Sequence, residues 1–133
     1  MKTRILFLLG LIFALALAAC GPAVPAQPTT PGGAIYVDSA GLMVMESYPV
    51  QVRLWLAGNL PTPCHSLEYQ VAAPDAQNRI HVTAYSTADP AAMCAQVLQP
   101  FEESIAIPME GTADGTYSVW LNGELVGEFS YPG

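Results

Sequence analysis

Basic side chains are nearly absent from most of this sequence. The chain has 133 residues with eleven acidic and four basic side chains, and its single lysine is Lys2. Beyond residue 20 only Arg53 and Arg79 remain, which gives that part of the chain a formal charge of −9. Binding to nucleic acid or to an anionic membrane surface depends on clustered lysine and arginine. The composition therefore argues against nucleic-acid partners and excludes a polybasic membrane clamp.

Long apolar runs are also scarce, and the main one stands near the start of the chain. Residues 5–19 form a 15-residue apolar run behind Lys2 and Arg4. A bilayer-spanning helix needs about 20 such residues, so this run is typical of a signal-peptide core. No later segment has a comparable apolar run, and no transmembrane helix is expected after it.

The apolar run ends in Leu17-Ala18-Ala19-Cys20, which resembles the lipobox of bacterial lipoproteins. In that family the cysteine is diacylglycerylated and becomes the first residue of the mature protein. The resemblance implies a lipoprotein signal peptide over residues 1–19, lipidation of Cys20, and attachment to a membrane on the extracytoplasmic side of the cell envelope. The alternative is an ordinary secretory signal in which Cys20 is incidental.

The composition changes twice after the lipobox. Residues 21–34 contain four prolines, three glycines and no charge, which is typical of an extended linker. An irregular first strand is the alternative. We therefore interpret residues 20–34 as the lipidated cysteine with a linker, and residues 35–133 as one domain.

Short β-type runs recur about every ten residues in this domain, as they do in sandwiches and barrels. The predicted strands are residues 35–38, 42–46, 50–56, 66–72, 79–87, 103–109, 116–121 and 125–131. The first two are divided by Ala40-Gly41. Asn122-Gly123 is the strongest hairpin signal, and residues 74–78 predict another hairpin loop. One short helix is predicted near residues 90–99, because Asp89-Pro90 is typical of an N-cap and a first helical position.

The pattern Gly-x-Tyr-x-Val-x-Leu-Asn-Gly over residues 115–123 is similar to small bacterial immunoglobulin-like domains. The resemblance implies a mainly β fold, an immunoglobulin-like antiparallel β-sandwich of seven or eight strands. The Cys…Trp…Cys pattern of antibody domains is missing, so the strand order stays open. Domains of this kind carry many functions and imply none.

Two cysteines remain once Cys20 is set aside. An even pair in an exported chain predicts a disulfide, here between Cys64 and Cys94. If residues 66–72 pair with residues 79–87, Cys64 lies opposite about residue 89, and one helical turn brings Cys94 to the same end. The rival interpretation is a Cys64-His65 thiolate and base, but adjacent strand side chains point to opposite faces.

Catalytic and metal-binding patterns are not found. His65 and His81 are the only histidines, and no metal-ligand spacing surrounds them. Consecutive carboxylates such as Glu102-Glu103 diverge on a strand and cannot flank one bond. Calcium at the Asp114-Gly115 turn is the remaining alternative. We therefore expect no enzymatic activity, no cofactor and no metal.

Three large aromatic residues are predicted to lie on strand faces that are otherwise polar. Trp55, Trp120 and Tyr85 fall in phase with polar neighbours, so they are candidate contacts for an unknown protein or glycan partner. A loop or helix covering the face is the alternative.

The leading hypothesis is a lipid-anchored, non-enzymatic binding or adaptor domain. A structural spacer or accessory subunit of an envelope complex is the second. An immunoglobulin-like peptidase inhibitor is the third, for which Asn59-Leu60-Pro61-Thr62-Pro63 is the nearest loop string.

Overall fold

The computed structural model describes residues 32–132, and these form two packed β-sheets. The predicted signal peptide, the lipidation of Cys20 and most of the predicted linker lie outside the described residues. The described part contains seven strands and no helix, so the mainly β prediction is confirmed. The strands are β1 (Tyr36–Met45), β2 (Gln51–Leu60), β3 (His65–Val71), β4 (Arg79–Ala88), β5 (Gln99–Ile107), β6 (Gly115–Leu121) and β7 (Glu124–Tyr131).

The strands are divided between a three-stranded sheet in the order β1-β2-β5 and a four-stranded sheet in the order β3-β4-β6-β7. All neighbours are antiparallel except β4 and β6, which run parallel. The fully antiparallel prediction is therefore wrong at this pair. After β4 the chain crosses to the other sheet, where β5 runs in the opposite direction. It then crosses back, so β6 runs in the same direction as β4.

Alternating apolar residues form the core between the two sheets. Strand β2 shows the rule, since Val52, Leu54 and Leu56 are buried whereas Arg53 and Trp55 point outwards. Successive strand side chains face opposite sides of a sheet, so this alternation places one apolar face inside. The other buried members of the core are Ile80, Val82, Ala84, Ile105, Ile107, Met109, Tyr117, Val119, Leu121, Phe129 and Tyr131.

Both predicted hairpins are confirmed. Asn122 and Gly123 join β6 to β7 with φ values of 50° and 91°. This left-handed backbone is readily adopted by glycine and tolerated by asparagine, which explains the strength of the Asn-Gly signal. The loop between β3 and β4 likewise uses Asn78 at φ 57°.

The short helix predicted near residues 90–99 is wrong. Asp89 accepts a hydrogen bond from the backbone N–H of Ala91 through Oδ1 (2.8 Å), and its carbonyl oxygen accepts one from Ala92 (3.0 Å). These bonds make one turn, after which no helix follows. The segment must pass from one sheet to the other, and a disulfide holds its centre at Cys94 while β5 begins at Gln99.

The predicted division of the first strand at Ala40-Gly41 is also wrong, because β1 continues through both residues. Gly41 lies opposite Trp55 on β2, so the glycine remains inside the ladder. The irregularity of the strand is a register shift between Val37 and Ser39 instead.

The chain is attached to the four-stranded sheet before β1 begins. Gly33 and Ser86 exchange two backbone hydrogen bonds of 2.8 and 3.0 Å, and the Ser86 hydroxyl donates to the carbonyl oxygen of Ala34 (2.7 Å). Residues 32–132 include no helix suited by length and hydropathy to cross a bilayer.

Candidate functional site

The three aromatic residues predicted as contacts lie on both outer faces of the sandwich. Trp55 stands on the outer face of the three-stranded sheet, whereas Tyr85 and Trp120 stand on the outer face of the four-stranded sheet. All three are half-buried. The structure therefore does not bring them together into one contact patch.

Trp55 occupies the middle of its sheet. Its partners across the ladders are Gly41 on β1 and Ser104 on β5. The indole Nε1–H donates to Oε1 of Glu102 (2.9 Å), so its polar edge is already bonded. Arg53, two residues away on the same face, donates from its guanidinium to the hydroxyl and to the carbonyl oxygen of Ser104, both at 2.7 Å. The ring face, rather than the N–H, is what Trp55 can offer to a partner.

Trp120 pairs with His81 across the parallel ladder between β6 and β4. The ring centroids are 6.4 Å apart, and the indole Nε1–H donates to the Ser118 hydroxyl (3.1 Å). Tyr85 lies further along β4 and is covered in part by the incoming chain. A Cβ at Gly32 would collide with the Tyr85 ring, which explains a glycine at this position.

Asp75 organises the loop that precedes β4. Its carboxylate accepts hydrogen bonds from the backbone N–H groups of Arg79 and Gln77, each at 2.9 Å, and from Arg79 Nε at 2.8 Å. The backbone bond from Arg79 is the main cause that lowers the pKa of Asp75 to about 2. His81 Nε2 lies 3.6 Å from the same carboxylate. The site is a turn held by one carboxylate rather than a pair of reacting groups.

Strand β1 is an edge strand with an unusually apolar exposed surface. It pairs with β2 on one side, and no other strand of residues 32–132 pairs with its free edge. The exposed apolar side chains of β1 and of the loop that follows it are Tyr36, Val37, Met43, Val44, Met45 and, in the loop, Tyr48. Sequence reasoning missed this surface because it divided the strand. The available signal was the run Met43-Val44-Met45, which is apolar on both strand faces.

A groove of about 360 Å³ separates this edge from β7 on the opposite sheet. Val37 and Asp38 line it from β1, and Leu125 and Val126 line it from β7. Leu42 of β1 packs against Gly127 of β7, where an added Cβ would come within 3.3 Å of the leucine. The two edges therefore stand side by side and form one continuous flank.

A second surface lies at one end of the sandwich, and we call it the disulfide end. It consists of residues 60–65 and 88–99. The predicted Cys64–Cys94 disulfide is confirmed, with the two Cα atoms 6.0 Å apart. The register prediction is confirmed as well, because His65 pairs with Ala88. His65 Nδ1 is hydrogen-bonded to Thr62 Oγ1 (2.8 Å) rather than positioned to activate a thiolate.

The sandwich has a further open depression of about 440 Å³ at its other end, lined by Arg53, Met109 and Tyr131 among others. Among residues 32–132, no group of three or more histidine, cysteine or acidic side chains is arranged to hold a metal ion. Neither observation gathers a nucleophile, a base and an oxyanion donor in one place.

Comparison with known proteins identifies a family for this chain. A model of the ORF11 beta-sandwich domain family matches residues 54–131, which is more than half of the chain. The match extends from β2 to the end of β7. No curated protein and no solved structure matches the chain.

Proposed function

The chain belongs to the ORF11 beta-sandwich domain family, and on this sandwich we propose a lipid-anchored binding or adaptor domain of the bacterial cell envelope whose binding surface is the free edge of β1. The domain acts by binding and not by catalysis. The lipid on Cys20 tethers it to a membrane on the extracytoplasmic side, and the linker joins that lipid to Gly33.

One observation carries the proposal, namely the concentration of exposed apolar side chains along β1. Among the described residues, eleven large hydrophobic side chains are exposed, and six of them lie within residues 36–48. Scattered single exposures are normal on a soluble protein, whereas these six form two groups, Tyr36-Val37 at the start of β1 and Met43 to Tyr48 at and just after its end. Grouped apolar exposure marks an interaction surface.

The geometry of an edge strand favours a strand-like partner. An edge presents a row of backbone N–H and C=O groups that another chain can pair with. Proteins usually protect such edges with lysine, proline or short strands. Strand β1 is ten residues long and contains neither lysine nor proline, and its protections are Asp38 and the register shift beside it. Addition of an extended peptide to β1 would satisfy the edge and cover the apolar side chains.

Charge indicates the chemistry of that partner. Asp38 lies on β1, Glu46 follows β1 directly, and Glu124 and Glu128 lie on the neighbouring β7. Within residues 32–132, Arg53 is the only cation near this flank, and it already donates hydrogen bonds to Ser104. An apolar extended segment with flanking lysine or arginine residues would be complementary to this surface.

Trp55 belongs to the same proposal, because it adjoins β1 through Gly41. A partner strand laid on β1 would bring side chains towards the ring. Trp120 and Tyr85 stand on the opposite face, so their role as contacts is a separate hypothesis for a second partner or a glycan.

We also propose that the sandwich is immunoglobulin-like. Strands β1, β2 and β5 share one sheet as strands A, B and E do in antibody domains, and β3, β6 and β7 share the other as C, F and G do. Strand β4 departs from that arrangement, since it lies between β3 and β6 instead of beside β5. The proposal is an immunoglobulin-like sandwich whose fourth strand has changed sheets.

Site-specific photo-crosslinking in intact cells tests the binding surface. A benzophenone amino acid replaces Met43 on β1 in the full-length chain. The matched control replaces Tyr69 on β3, an edge strand of the other sheet, because Met43 and Tyr69 have exposed fractions of 43% and 44%. Lysine crosslinkers are unsuitable because no lysine follows Lys2.

The proposal predicts a discrete adduct at Met43 and none at Tyr69, with the partner identified by mass spectrometry. No adduct at Met43, or the same adducts at both positions, would contradict it and favour the structural spacer. The anchor is tested separately. A Cys20→Ala variant is expected to leave the membrane fraction, and retention there would contradict lipidation.

A further inference from the structure

The loop between β4 and β5 displays apolar side chains on a fixed frame. Every residue from 89 to 98 is exposed except the half-buried Cys94. Met93 is fully exposed, and Val97 and Leu98 each expose 56% of their surface. The bond to Cys64 fixes the loop at its centre, and the Asp89 turn fixes its start. These three side chains are therefore presented outwards by a constrained loop.

The disulfide end also avoids charge in a strongly acidic domain. Residues 60–65 and 88–99 include one charged side chain, Asp89, whose carboxylate accepts the bond from Ala91. The other ten acidic residues lie elsewhere in the chain, and one of them, Asp38, adjoins this end through a hydrogen bond from Asn59 (2.9 Å) that its carboxylate accepts. This end can therefore approach lipid headgroups with less repulsion than any face that carries the remaining acids.

The direction of the N-terminal segment brings the same end towards the anchor. The Gly33–Ser86 bridge is antiparallel, and β4 runs towards Ala88. The chain therefore enters Gly33 from the side of Ala88, where the 89–98 loop starts. The twelve residues from 21 to 32 reach at most about 40 Å even when fully extended. Strand β2, with its ten residues, shows that the sandwich is itself about 33 Å long. The tether could bring the opposite end to the lipid only when it is almost fully extended, so it favours the disulfide end.

We infer that the 89–98 loop is a membrane-contact loop, in which Met93, Val97 and Leu98 enter the lipid interface at the base of the tether. The inference rests on the proposed lipid anchor at Cys20 and adds an orientation to it. Apolar side chains gain from burial in the region between headgroups and acyl chains. The acyl chains already hold the protein, so the loop fixes its orientation. Strand β1 starts beside the disulfide end, where Tyr36 pairs with Asn59, and runs away from it. The rest of its free edge would then project away from the membrane, where a partner strand can reach it.

Depth-dependent fluorescence quenching tests the contact. The full-length chain, matured in cells, is reconstituted into phosphatidylcholine vesicles whose acyl chains are either brominated or unmodified. Met93→Trp and Val97→Trp place a reporter in the loop, and two positions guard against one variant failing to fold. Tyr48→Trp is the matched control, since Tyr48 is fully exposed at the opposite end of the sandwich. The native Trp55 and Trp120 supply the baseline that is subtracted.

The inference predicts a blue-shifted emission and a loss of intensity in brominated vesicles for both loop variants, with no loss for Tyr48→Trp. Equal emission of all three variants in the two kinds of vesicle would overturn it. A blue shift without bromine quenching would place the loop against protein and would overturn it as well.

Sedimentation separates the two proposals. If the wild type sediments with the vesicles and Cys20→Ala does not, yet the loop reporters are unquenched, the loop contact alone is wrong. If the wild type does not sediment, the anchor is wrong and this inference falls with it.

Discussion

Replacing both Cys64 and Cys94 by serine is expected to lower the free energy of unfolding by about 3–4 kcal/mol. The bond joins residues separated by 30 positions in the sequence. In the chain-entropy model, releasing a loop of that length lets the unfolded chain regain an entropy equivalent to about 3–4 kcal/mol at room temperature. Small domains have total stabilities of only about 5–15 kcal/mol, so the variant loses a large share. The double substitution also avoids leaving a lone thiol.

Urea denaturation of the double variant, followed by near-ultraviolet circular dichroism, measures this loss directly. The wild type under reducing conditions should show the same loss, because it lacks the same covalent link. Met93→Ser is the matched control, since Met93 adjoins Cys94 and is fully exposed, and its unfolding midpoint should stay at the wild-type value. A loss below about 1 kcal/mol for the double variant would refute the loop-closure reasoning.

Three further predictions concern the core, the hairpin and the acid-sensitive turn. Leu54→Ala, which empties the centre of the core where Leu54 is fully buried, should lower the free energy of unfolding by about 2–5 kcal/mol in urea titrations. Asn122→Ala should lower it by about 1–3 kcal/mol in the same assay, because the amide side chain donates to and accepts from the Ala84 backbone at 2.9 Å. Asp75 has a pKa of about 2 in the folded chain against an ordinary 3.8, so its ionised form stabilises the fold above pH 3.8, and this stabilisation is lost as the pH falls through 2. The difference in thermal midpoint between wild type and Asp75→Asn should therefore shrink between pH 4 and pH 2, and a constant difference would contradict the account.

Local patterns predicted much of the fold. The alternation on β2 gave the buried face correctly, since each second residue from Val52 is buried. Asn122-Gly123 predicted its hairpin because the backbone there needs positive φ. The Cys64–Cys94 pair was predicted from the even cysteine count of an exported chain and supported by the antiparallel register of β3 and β4, which depends on a short loop. Each of these features is decided by neighbouring residues.

Features that depend on residues far apart in the sequence were not predicted. Asp89-Pro90 is a sound helix-start signal, yet the crossing between sheets and the disulfide limit it to one turn. The parallel pairing of β4 with β6 has no local signature, because it arises from the intervening β5 in the other sheet. Gly41 suggested a break, but its partner Trp55 keeps it within the ladder.

The candidate site was predicted in part. Sequence phase placed Trp55, Tyr85 and Trp120 on outer faces, and the structure confirms that placement. The phase of each strand could not indicate which sheet the strand joins, so the separation of Trp55 from the other two aromatics could not be foreseen. The apolar edge was hidden for a related reason, because edge position depends on sheet order and sheet order is a property of the whole chain.

The most direct test of the central proposal measures whether the free edge of β1 makes the contact. A benzophenone at Met43 is used with Met45 either intact or replaced in Met45→Lys, since an exposed lysine on an edge strand opposes strand addition. We predict a discrete adduct with Met45 intact and its loss in the lysine variant, while membrane attachment and the unfolding midpoint stay unchanged. An adduct of equal yield in both chains would show that the partner does not pair with this edge and would contradict the proposed function.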